Sequence, residues 1–144
     1  MSRFRTYMLT GSLAGVALGC GGSGPSLPDL VGTWHATKIQ VTNKANAAQT
    51  TNLTLLGATI QVVFRNDNTF TATFAAPGQP ADNSTGSWVQ TATSLTLTDA
   101  PPGTDVNVFT YTLSGGTLTM SGGEVDFNFG SGDVPSKFDL ILTH

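Results

Sequence analysis

VVFRNDNTFTATF, residues Val62–Phe74, decides how the rest of the chain is read. Two runs rich in apolar residues flank Asn66-Asp67-Asn68. In the second run Phe70, Ala72 and Phe74 recur at every second position, with Thr69, Thr71 and Thr73 between them. A period of two is that of a β-strand, whose successive side chains point to opposite faces. Asn and Asp tolerate left-handed backbone and hydrogen-bond to it locally, so the central triplet reads as the turn of a β-hairpin.

The same alternation extends outward in both directions. Gly32–Thr42 reads as a first strand carrying Trp34, Thr85–Thr91 as one containing Trp88, and Ser94–Thr98 sets Leu95 and Leu97 on one side. Val106–Leu113 sets Phe109, Tyr111 and Leu113 against Thr110 and Thr112. Ser114-Gly115-Gly116 then turns the chain into Thr117–Ser121, where Leu118 and Met120 share a face. Glu124–Phe129 directs Val125, Phe127 and Phe129 inward, and Lys137–Thr143 does the same with Phe138, Leu140 and Leu142. The glycine clusters at 121–123 and 130–132 read as turns. Longer connections are expected at Asn43–Leu56, Ala75–Ser84 and Asp99–Asp105. Leu53–Ile60 reads either as a strand or as a short helical turn. No helical period appears beyond Leu30.

The sum is eight or nine short strands joined mostly by tight turns, which favours an antiparallel meander. A meander with one consistent apolar face closes on itself and removes the exposed edges of an open sheet. The expected fold is therefore all-β: a small antiparallel up-and-down β-barrel of about eight strands, over residues 29–144.

Composition narrows the function. Of 144 residues only 10% are charged, and solubility falls to Thr, Ser, Asn and Gly. Beyond the N-terminal segment, Lys38, Lys44, Arg65 and Lys137 face nine acidic residues, a balance of −5. No basic patch is available, so nucleic acid is not an expected partner.

The N-terminus reads as an address. Arg3 and Arg5 precede an apolar segment from about Tyr7 to Leu18, the length of a signal-peptide core and short of the ~20 residues of a membrane span. Val16-Ala17-Leu18-Gly19 then leads into Cys20, the sole cysteine. This resembles the bacterial lipobox, which implies a signal peptide over residues 1–19 and lipidation, palmitate included, at Cys20. Residues 20–28 form a flexible tether after cleavage, its Gly- and Pro-rich part spanning on the order of 15 Å. A lipid-anchored cell-envelope protein is expected, attached to the membrane through its N-terminus. Gly21 after the cysteine leaves open the outer membrane of a Gram-negative host, facing the periplasm or the cell surface.

Catalytic chemistry is hard to assemble. A nucleophile needs a base within reach, and within the folded part only His35 is offered, beside Trp34; His144 is the terminal residue and is expected to be mobile. Two distant histidines and an acylated thiol make no zinc site. Glu124, Asp126 and Asp133 supply oxygens suited to calcium, but they read more simply as a solvated acidic strand and its turn. No enzyme activity, metal or cofactor is expected.

Leu30-Val31-Gly32-Thr33-Trp34 places a G-x-W on the first strand. It is followed by the RNDNTFTATF hairpin, by Gly86-Ser87-Trp88 and by a closing strand KFDLILT. This order resembles the short lipocalin-like domains of bacterial lipoproteins, within the wider calycin group. The resemblance implies that Gly32 and Trp34 plug the closed end of the barrel. It also implies an interior able to hold a small apolar or amphipathic ligand, for which Phe64, Phe74, Trp88, Phe109, Tyr111 and Phe127 are the candidate lining. The late arginine that packs on the tryptophan in that family is absent, leaving Lys137 nearby. The alternative is a filled barrel that docks another envelope protein or a glycan, since eight strands leave an interior that side chains alone can fill.

Overall fold

The hairpin at Val62–Phe74 forms around its Asn-Asp-Asn turn. The Asn68 amide donates to the Arg65 carbonyl, and the Arg65 amide donates to the Thr69 carbonyl (3.1 and 2.9 Å). Asn68 takes the left-handed conformation (φ 61°) that closes such a loop. The Asp67 carboxylate accepts from the Thr69 amide and hydroxyl at 3.0 and 2.6 Å. These bonds fix the register with Phe64 opposite Phe70 and Val62 opposite Ala72.

The computed structural model describes residues 26–144. Residues 1–19, read above as a signal peptide, Cys20 and the first part of the expected tether lie outside them. Nine strands follow in order: β1 (Gly32–Asn43), β2 (Thr50–Asn52), β3 (Thr59–Phe64), β4 (Thr69–Ala75), β5 (Asp82–Gln90), β6 (Ser94–Asp99), β7 (Val106–Ser114), β8 (Thr117–Asn128) and β9 (Asp133–Thr143). Each strand from β3 to β9 pairs antiparallel with the next, and β1 joins β3 on one side and β9 on the other. The result is a closed eight-stranded up-and-down barrel. β2 is a short addition to β1 where β3 has parted from it. The ambiguous segment resolves into a 3-10 turn, Leu53–Leu56, capped by the Asn52 side chain, and then the strand β3.

Two bulges shape this barrel, and neither was read in the sequence. In β1 the pairing with β9 shifts between Ala36 and Lys38, so Thr37 is extra. Buried side chains change from even positions (Trp34) to odd ones (Ile39, Val41) across it. In β8 the shift falls between Met120 and Gly123. Ser121-Gly122-Gly123 therefore does not turn the chain; it lets one twelve-residue strand bend, with Gly122 in left-handed backbone (φ 91°). Gly123 itself faces the interior. A β carbon there would lie 2.3 Å from the Phe109 ring and 2.6 Å from that of Phe138. Those two rings meet edge to face, 5.3 Å between centroids, across the space the glycine leaves.

Past this bend β8 leaves β7. Ladder pairing between them stops at Thr110 and Ser121, while β8 continues with β9 as far as Asn128. Across the resulting gap the Asn107 side-chain oxygen accepts from the Glu124 amide at 2.8 Å.

The core is densest at one end. Leu30, Trp34, Phe64, Leu95, Leu118 and Leu142 are essentially inaccessible there. Each such side chain contributes about 1.5–3 kcal/mol by leaving water. The Phe64 and Trp88 rings pack edge to face, 5.3 Å apart.

Candidate functional site

The closed end is built around Trp34. The chain crosses beneath the barrel before β1 begins, and the indole Nε1 donates to the Leu30 carbonyl at 2.9 Å inside the core. On its other side Trp34 meets the imidazole of His144, with ring centroids 3.9 Å apart. His144 thus covers one face of the tryptophan while itself remaining exposed, and Lys137 stands away from it, beside Thr42 and Glu124. A side chain at Gly32 would run into that imidazole. Tyr111 Oη donates to the Thr91 carbonyl (2.8 Å) and accepts from Gln90 Nε2 (2.9 Å), which also donates to the Pro28 carbonyl.

The opposite end is open. Between β3–β4 and β7–β9 lies a cavity of about 170 Å³ reached from the mouth. It continues into a funnel of about 340 Å³ lined by Ile39, Val41, Leu53, Val125 and Phe127. Ile60, Phe74, Asp82 and Phe138 line both, so the two spaces adjoin. Of the aromatic candidates, Phe74 and Phe109 line the inner cavity, and Phe74 and Phe127 line the funnel. Phe64, Trp88 and Tyr111 lie instead in the packed closed end and line neither space.

Part of the cavity wall is polar and was missed. Asp82, Ser84, Asp99 and Asn107, from β5, β6 and β7, line the cavity among its hydrocarbon residues. Asp99 has its carboxyl raised above the usual value, chiefly by burial and then by Asp105, with Asp82 adding to it and the Ser84 hydroxyl working against it. The signal was present in the sequence. Asp99 is in phase with Leu95 and Leu97, and Asn107 is in phase with Phe109 and Tyr111. Asp82, Ser84 and Asp99 fell within segments read as loops, because Asp is a poor strand former.

A profile of the lipocalin-like domain matches residues 30–120, from the Leu30 that supports Trp34 to the bend in β8. The chain belongs to the lipocalin-like domain family. Comparison with curated proteins finds no match. In this lipocalin-like barrel the family span takes in the plug, the hairpin and most of the cavity wall. The last bend and β9, which complete the barrel, lie beyond it.

The other chemistry-bearing residues are scattered. His35 lies on the exposed face of β1, opposite Gln61 and Thr143. Glu124 is ion-paired with Lys44, outside the barrel. Among the described residues no three His, Cys, Asp or Glu side chains come together as a metal site.

Proposed function

We propose that this protein binds a small apolar or amphipathic molecule in the open end of its barrel and has no catalytic role. The observation that carries this reading is the hydrocarbon-lined cavity leading into the funnel, at the end away from Trp34. Pockets of a few hundred Å³, mostly apolar with a few convergent polar groups, are the usual form of a small-molecule site. A filled barrel that serves only as a docking domain is the weaker reading, because its core would extend to both ends. We further infer that Cys20 carries lipid and holds the domain at the cell envelope. The support is the signal-like segment and the sole cysteine after it.

Native mass spectrometry of the full chain, purified gently from an envelope extract, tests the binding reading. A bound mass that disappears on denaturation is expected. Ala72 points into the cavity from β4, so Ala72→Phe should fill it and abolish the bound mass while the fold is retained. A clean apo mass, unchanged after incubation with anionic, neutral and cationic amphiphiles, overturns the reading.

A further inference from the structure

The cavity lining is of two kinds. Ile60, Phe70, Phe74 and Phe138 give it hydrocarbon, and Asp82, Ser84, Asp99 and Asn107 set polar groups among them. Strand register sets Ser84 diagonally beside Asp99, and Asp82 two residues further along β5 toward the rim. Asp82 pairs with Phe74 across β4–β5, Asp99 with Gly86 across β5–β6, and Asn107 with Leu97 across β6–β7. Asp82 stands exposed at the rim, and Asp99 is half-buried.

No lysine, arginine or histidine lines the cavity or the funnel among the described residues. Lys44 is engaged by Glu124, and Arg65 donates to Thr71 on the outer face. The protein therefore aims two carboxylates at an apolar chamber and brings no cation to meet them. Charge held against hydrocarbon is costly unless paired, and a hydrogen-bonded ammonium–carboxylate contact relieves that cost.

We propose that the ligand of this cavity is an amphipathic amine, its apolar body lying against Phe74, Phe109 and Phe138 and its ammonium group on Asp82 and Asp99. This rests on the binding reading above and specifies its ligand class. A fatty acid would bring a third carboxylate beside two others and be repelled. A neutral alcohol would gain hydrogen bonds from Ser84 and Asn107 without the ionic contact. The raised carboxyl of Asp99 fits a group that lacks its counter-charge until a ligand supplies it.

Calorimetric titration of the full chain with decylamine, decanol and decanoic acid separates these cases. Decylamine is expected to bind about tenfold or more tightly than decanol, with decanoic acid weakest. In the double variant Asp82→Asn, Asp99→Asn the amine should lose that advantage while decanol binding persists, which also reports an intact cavity. Equal binding of amine and alcohol by the wild type, or an amine preference that survives in the double variant, overturns the proposal and leaves cavity binding standing. Binding of none of the three overturns the cavity reading itself. The wild-type comparison decides the matter even if the variant does not fold.

Discussion

Two tryptophans show how the same residue carries different weight in one core. Trp34 has its N–H satisfied by the Leu30 carbonyl, whereas the buried Trp88 Nε1 has no hydrogen-bond partner among the described residues. Trp34→Phe strands a buried carbonyl; Trp88→Phe removes a donor that was already unpaired. Trp34→Phe should therefore cost about 1–3 kcal/mol more than Trp88→Phe, measured by urea unfolding. The aspartates contrast in the same way. Asp67 is held below the usual 3.8 by its hydrogen bonds from the Thr69 side chain and backbone, so it adds stability that is present above 3.8 and lost as the pH falls through its folded value. Asp99 is raised, so its charge disfavours the folded state; that cost is absent below 3.8 and complete above its folded value. At neutral pH Asp67→Asn should be less stable than wild type and Asp99→Asn more stable, with both differences shrinking in acid. Denaturation curves across that range check the signs.

At the scale of elements, the strands were legible where alternation is regular and misread where it breaks. Phe70-x-Ala72-x-Phe74 and Phe138-x-Leu140-x-Leu142 run in phase with the interior, and hairpin chemistry located their turns. Between Met120 and Gly123 the inward set changes parity, and a Ser-Gly-Gly at that point has the composition of a turn. Only the partner strand distinguishes the two, because β9 continues to pair on both sides of the bend. Asn107 is a product of that bend: its side chain caps the Glu124 amide in place of the ladder that β7 and β8 no longer share. Asn107→Ala should cost about 0.5–1.5 kcal/mol and speed hydrogen exchange at the Glu124 amide, with little change in the β7–β8 ladder beyond Thr110.

For the whole molecule, the barrel has two ends with separate tasks. Gln90, which binds the Pro28 carbonyl, and Asp82, which lines the mouth, stand at opposite ends of β5, roughly 25 Å apart along the strand. Pro28 and Leu30 thus lie at the plugged end and the cavity opens at the other. If Cys20 anchors the chain, anchoring and binding are mechanically independent. Cys20→Ser should lose palmitate labelling and partition out of the detergent phase, while its affinity for cavity ligands matches wild type. Retained labelling would remove the lipoprotein reading and leave the barrel untouched.

What the sequence determined by itself is local and periodic: strand after strand, the turns between most of them and the meander order. Each follows from one segment and its immediate neighbours. The tertiary structure decided what depends on register around a closed ring. The bulges at Thr37 and Gly122 exchange which residues of β1 and β8 face inward, and position along the strands puts Phe64, Trp88 and Tyr111 at the packed end but Phe74, Phe109 and Phe127 at the open one. The register of β4, β5 and β6 brings Asp82 and Asp99 to the lining of one cavity from separate strands. No single segment encodes that meeting, because it is fixed by how far each strand slides against the next before the barrel closes.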